Sequence, residues 1–276
     1  MNNEPLLKIN KRATTALIML VVLYALIFSL IPTAHAGSWN GWIYQNPYPT
    51  SNTLLAVKFL TPQKGWVAGE LGTILYTSDG GSTWEPQNSG TQKKIKCLFF
   101  VNELQGWAVG GESQTTEKGV ILATKDGGKK WAIQDGDFNS PLNSVFFINN
   151  KEGWIVGDEG VVLHTVDGGM KWERQNVSIA RNIASVYFIN TQIGWLLVGN
   201  EVYRTTDAGQ NWISTKFDMI LPINKGMGGV GEPIPTNWSQ GEIYFLDSKK
   251  GWAVTGFWPI FFYRRWWKDM DQSVSC

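Results

Sequence analysis

The sequence predicts an all-β chain folded as a β-propeller of four-stranded blades. Three observations carry that reading: a Thr-x-Asp-Gly-Gly-type motif ending in Trp occurs four times, a Gly-Trp pair precedes each copy and occurs again after the last, and an apolar-aromatic triplet precedes each of these pairs. Four short strands in about 41 residues, then repeated, is the layout of a propeller blade.

The chain opens with a targeting segment, residues 1–36, read as a signal peptide. Lys8, Lys11 and Arg12 form a positive region, an uncharged run extends from Ala13 to Ile31, Pro32 breaks it, and Ala34-His35-Ala36 supplies a small-x-small cleavage pattern before Gly37. The alternative for this run is an uncleaved membrane anchor. Either one exports the remainder to the periplasm, a thylakoid lumen or the outside.

Residues 37–257 read as the repeats. The aromatic triplets are Val57-Lys58-Phe59, Leu98-Phe99-Phe100, Val145-Phe146-Phe147, Val186-Tyr187-Phe188 and Ile243-Tyr244-Phe245. The Gly-Trp pairs begin at Gly65, Gly106, Gly153, Gly194 and Gly251, and the Asp motifs at Thr77, Thr124, Thr165 and Thr205. Units therefore lie near 47–88, 89–135, 136–176, 177–216 and 240–257. Within one unit, Leu142 to Ile148, Gly153 to Val156, Val161 to Thr165 and Trp172 to Gln175 read as strands, with turn residues in every gap. Trp42 to Asn46 repeats the start of a fourth strand seen at Trp84 and Trp172, so residues 39–46 are expected to be a lone strand that closes the ring and removes a sheet edge.

The Asp motif has a mechanical reading. An Asp side chain accepts backbone N–H bonds in its own turn, Gly supplies positive φ, and the Trp that follows buries a large apolar area. Asp79, Gly81, Trp84, Asp126, Gly128, Trp131, Asp167, Gly169, Trp172, Asp207, Gly209 and Trp212 are accordingly expected to be structural turn residues between strands three and four. Four equivalent turns at four blade positions do not converge on one catalytic or metal site.

The motifs resemble those of Asp-box propellers, and more closely the photosystem II stability/assembly factor-like family. Gly153-Trp154-Ile155-Val156-Gly157 and the segment from Gly72 to Gly81 carry the match, which runs from about Trp39 to Val254. The resemblance implies a seven-bladed parent, here cut to about five units, and an exported, non-enzymatic assembly factor for photosystem II. It implies a protein partner, a precursor of a reaction-centre protein where the host is photosynthetic. The family's binding surface is associated with an arginine-rich patch. Here Arg174, Arg181 and Arg204 are the arginines between Gly37 and Trp258, and with Trp238 they are the candidate partner-binding residues.

Composition narrows the alternatives. The chain carries 24 Lys+Arg against 23 Asp+Glu, which removes a polybasic nucleic-acid binder. Cys97 and Cys276 make neither a disulfide framework nor a zinc site, and His164 is the one histidine outside the leader, so no metal or cofactor is expected. The rival readings are an Asp-box glycoside hydrolase and a carbohydrate-binding propeller. The first lacks an arginine cluster, and its adjacent carboxylates Asp158 and Glu159 are expected to point apart. The second has Trp39 and Trp238 free of the repeats. His164 reads as a surface residue. The long insertions 110–119 and 214–240 fall in loop classes that share a face, where function is expected.

After Val254 the pattern stops, and residues 258–276 read as a frame-shifted tail. Trp and Met have single codons. With Arg265 as AGA or CGA, reading one nucleotide later turns residues 265–270 into Asp-Gly-Gly, Lys or Arg, Ile or Thr, then Trp. That is a fifth copy of the motif, at the spacing seen in two of the other units.

Overall fold

Strand-forming runs punctuated by glycine turns give antiparallel sheets, each made of strands adjacent in sequence. The computed structural model describes residues 49–112, 118–136, 138–199, 201–215, 241–255 and 261–264. The chain divides into two units, Met1–Pro49 and Thr50–Cys276, and the sheets lie in the second. The expected closing strand 39–46, Trp238 and most of the 258–276 tail fall outside the described residues.

The first sheet comprises β1 (Leu54–Phe59), β2 (Gly65–Gly69), β3 (Ile74–Thr77) and β4 (Glu85–Gln87). The second holds β5 (Ile95–Phe100), β6 (Gly106–Gly110), β7 (Val120–Thr124) and β8 (Ala132–Gln134). The third holds β9 (Leu142–Phe147), β10 (Gly153–Gly157), β11 (Val162–Thr165) and β12 (Glu173–Arg174), and the fourth β13 (Ser185–Phe188), β14 (Gly194–Val198), β15 (Glu201–Thr205) and β16 (Ile213–Thr215). The fifth has β17 (Gly241–Asp247), β18 (Lys250–Thr255) and β19 (Phe261–Arg264). Among the described residues the helical content is two single 3-10 turns, at Glu70–Gly72 and Asp158–Gly160. In all four four-stranded sheets the fourth strand starts one residue after the Trp, because the indole stands at the end of the turn rather than in the ladder.

Successive sheets pack through their first strands, β1 beside β5, then β9, β13 and β17. The core is therefore a set of inter-sheet layers. In each layer the Phe closing one first strand stacks on the Gly-Trp indole of the sheet before it. Trp66 meets Phe100 at 3.8 Å, Trp107 meets Phe147 at 3.5 Å, Trp154 meets Phe188 at 3.6 Å and Trp195 meets Phe245 at 3.7 Å. Aromatic pairs add about 0.5–1.5 kcal/mol beyond area burial.

The stack explains the glycine of the Gly-Trp pair. Phe147 lies opposite Gly153 in the β9–β10 register, and a Cβ on Gly153 would stand 2.5 Å from its ring. The same holds for Gly65 and Phe59, Gly106 and Phe100, Gly194 and Phe188, and Gly251 and Phe245. Glycine leaves the room in which the ring lies flat, a cross-strand arrangement that stabilises sheets.

The turns between third and fourth strands use Asp as a clamp. Asp79 Oδ1 accepts from the Thr83 amide at 2.9 Å, and the other three turns repeat this from Lys130, Lys171 and Asn211. Thr77 Oγ1 donates to Asp79 and accepts the Gly81 amide at 2.8 Å. Gly80 and Gly81 take φ of 74° and 90°. In the fourth turn Ala208 occupies φ 61°, a strain of roughly 1–2 kcal/mol that glycine avoids.

Candidate functional site

The two ends of the sheets differ in chemistry. At one end the Asp turns bond back to the connection between strands one and two of their own sheet, as Gly80 to Gln63 O at 2.8 Å and Gly168 to Lys151 O at 2.7 Å. At the other end the connections between strands two and three lie against the chain entering each first strand. Glu70 donates to Thr53 O, Asp158 to Pro141 O and Gly160 to Arg181 O, each at 2.9 Å. The glycine ending strand two permits that crossing: a Cβ on Gly110 would stand 1.9 Å from Lys94 O, and one on Gly157 would stand 2.3 Å from Pro141 O.

This second end carries a polar rim. Lys94 sits 3.4 Å from Glu70 and 3.1 Å from Glu112; burial pulls its ammonium pKa down, and the two carboxylates more than reverse that. Lys96 donates to Asn143 Oδ1 at 2.9 Å, and Asn143 in turn donates to Asp158 at 2.8 Å and to Ile183 O at 3.0 Å. That relay joins the second, third and fourth sheets in a buried setting. Burial pushes the Lys96 pKa down, partly countered by Asp158. Ser140 donates to Glu159 at 2.6 Å.

Arg181 binds Glu201 at 2.6 Å beside Tyr203, which itself donates to Glu201 at 3.0 Å. Arg174 is exposed on β12 and lines an open groove of about 690 Å³ with Glu159, Asn176, Val177, Ser178 and Ala180. The structure thus places Arg174 and Arg181 at the two ends of one connection between the third and fourth sheets. Arg204 is half-buried on β15 opposite Trp195. Asp158 is buried and bonded to Asn143, whereas Glu159 is exposed, so the two carboxylates do point apart. His164 is not the surface residue expected: it stacks on Trp154 at 4.8 Å and lies 3.3 Å from Glu152, with 18% of its side chain exposed.

Sequence reasoning missed an aromatic row. The middle residues of the five triplets meet in order along the innermost strands. Phe99 and Phe146 are 5.3 Å apart, Phe146 and Tyr187 5.0 Å, and Tyr187 and Tyr244 5.2 Å, while the Lys58 ammonium lies 4.8 Å over Phe99. Burial, with Tyr244 beside it, holds the Tyr187 phenol above its usual range. The available signal was that Lys, Phe, Phe, Tyr and Tyr occupy one position of the repeat.

Comparison with known proteins places this architecture. The family model described as "Photosynthesis system II assembly factor YCF48" matches residues 34–132 and 88–220. The chloroplastic photosystem II stability/assembly factor HCF136 of Cyanidioschyzon merolae is 38% identical over 60 residues, 21% of this chain and 13% of that protein. The photosystem II assembly lipoprotein Ycf48 of a Nostoc species is 35% identical over 72 residues, 26% of this chain and 20% of that protein. The matched segments thus span a fifth or less of those relatives. A solved structure titled "YCF48 bound to D1 peptide" superposes with a TM-score of 0.54 at 19% identity, over 78% of this chain and 64% of that one. The U3-55K structure gives 0.52 at 11% identity, over 77% and 68%. Both likenesses show the fold.

Proposed function

Since the chain belongs to the photosynthesis system II assembly factor YCF48 family, we propose that it is an exported, non-enzymatic propeller scaffold that binds a segment of a photosystem II precursor protein. The family match over residues 34–220 carries this reading. The related YCF48 described as bound to a D1 peptide supports a peptide-type partner. Relatives named as chloroplastic or as a lipoprotein are consistent with export, and residues 1–36 are proposed to be the signal peptide. The glycoside hydrolase and carbohydrate readings gain no support: the adjacent carboxylates serve separate structural contacts.

The proposed contact surface is the polar rim between the third and fourth sheets, with Arg174 as its exposed cation and Arg181, held by Glu201, beside it. Titration calorimetry with a synthetic D1 peptide tests this. Arg174→Glu is expected to weaken binding about tenfold, as reversing one charge at an interface does, whereas Asp126→Asn on the opposite end leaves affinity unchanged. Equal affinity for Arg174→Glu and the parent protein would remove this rim as the contact surface.

A further inference from the structure

In the second and fourth sheets the Asp turn closes its own sheet and also docks on the sheet before it. The docking point is the carbonyl of the residue after the Asp. In the second sheet Gly127 O accepts from Trp66 Nε1 at 3.2 Å and from Gln87 Nε2 at 2.9 Å. In the fourth, Ala208 O accepts from Trp154 Nε1 at 3.2 Å and Gln175 Nε2 at 3.2 Å. Every donor comes from the preceding sheet. The third turn lies against Trp107: its indole nitrogen makes no hydrogen bond but stands 3.0 Å from where a Cβ on Gly169 would be. Here the staple is Trp172 Nε1 donating to Gln134 at 3.2 Å.

Trp195 is the fourth such indole. It is fully buried and stacks on Phe245 with the planes 6° apart, as Trp154 does on Phe188 at 10°. Its Nε1 is buried without a hydrogen bond, and a buried N–H without an acceptor bears the full loss of its hydration. At the Gln position of the fourth strand stands Thr215, whose hydroxyl donates to Val202 O, so the indole is the donor left to meet a turn.

The acceptor belongs to the fifth unit by position. β19 pairs with β18 in the register Gly251↔Tyr263, as Gly65 pairs with Thr77 and Gly153 with Thr165. The register is kept, but Tyr263 stands where the others have Thr, and Arg265 where they have Asp.

We propose that the fourth and fifth sheets form a socket for an Asp-Gly-Gly-x-x-Trp turn, with Trp195 Nε1 donating to the carbonyl after the Asp, and that its occupant is the fifth-unit turn that residues 265–270 spell one nucleotide later when Arg265 is AGA or CGA. This inference stands apart from the proposed partner. The ring of Phe245 takes the part of Phe100, Phe147 and Phe188, which receive the indole edges of their own turns at 5.9, 5.7 and 6.0 Å.

The test rebuilds the turn in the full chain with Tyr263→Thr, Arg265→Asp, Trp266→Gly, Trp267→Gly, Asp269→Thr and Met270→Trp, keeping Lys268. Hydrogen exchange of the Trp195 indole proton, assigned through Trp195→Phe, is expected to slow at least tenfold, and the urea midpoint to rise. Trp195→Phe should then lower the folding equilibrium about fivefold more in the rebuilt chain than in the original, the worth of one hydrogen bond. A second rebuild with Arg265→Ala in place of Arg265→Asp should lose most of the gain. Unchanged indole exchange, equal effects of Trp195→Phe in both chains, or a rebuilt chain less stable than the original overturns the proposal.

Discussion

Replacing the same glycine by alanine in two sheets should have two very different costs. In Gly153→Ala the new methyl meets Phe147, a ring carbon of which lies 2.5 Å away. Phe147 is 3% exposed, stacked on Trp107 at 3.5 Å and met edge-on by Trp172 at 5.7 Å, so it has nowhere to go. Overpacking costs about 1–3 kcal/mol, and disturbing the stacked pair adds about 0.5–1.5 kcal/mol. Alanine recovers about 0.4–1 kcal/mol by restricting the unfolded chain. The expected net destabilisation is about 0.5–4 kcal/mol. In Gly65→Ala the clash on paper is the same, 2.6 Å from Phe59. Phe59, however, is 40% exposed and held by the edge contact with Trp84, so its ring swings outward. That variant should lie within about 0.5 kcal/mol of the parent, the range of surface changes. Urea unfolding followed by tryptophan fluorescence reads both. The double variant Phe147→Leu/Gly153→Ala should be less destabilised than the sum of its singles, because the clash is shared. Equal losses at Gly65 and Gly153 would refute the argument that packing of the neighbouring sheet sets the cost.

Three further outcomes follow from the same geometry. Hydrogen bonds from the Thr83 hydroxyl and amide, then from Thr77, lower the Asp79 pKa to about 2 from an ordinary 3.8. A depressed carboxylate stabilises the fold above its unfolded pKa and loses that effect as pH falls through the folded one. The stability gap between the parent and Asp79→Asn should therefore shrink between pH 4 and pH 2 in acid-unfolding curves, and a constant gap would contradict it. Gln87→Leu removes a donor to Gly127 O and the acceptor of Trp131 Nε1; it should cost about 1–3 kcal/mol in urea melts, more than Gln63→Leu in an exposed loop. Mass analysis of the exported product should find its first residue near Gly37, and a product starting at Met1 would favour an uncleaved anchor.

What the sequence determined by itself is the local chemistry of the repeat. A turn clamped by Asp79 onto an amide four residues later, with glycines at positive φ, needs nothing beyond its own segment, so four copies announce four equivalent turns. Strand order was legible for the same reason, because neighbours in sequence pair in every sheet. The glycine of each Gly-Trp pair was visible as a pattern, yet its cause was not: the ring above Gly153 belongs to another strand, and that ring lies flat because Trp107 of the sheet before holds it. Tertiary structure alone decided the row from Lys58 through Tyr244, the Lys96–Asn143–Asp158 relay and the stacking of half-buried His164 on Trp154. These contacts join residues one repeat apart or across a ladder, where no dihedral preference or turn chemistry links the partners. Only the stacking of one sheet on the next brings them within reach, and the energy of that stacking is spread over layers rather than written in any one segment.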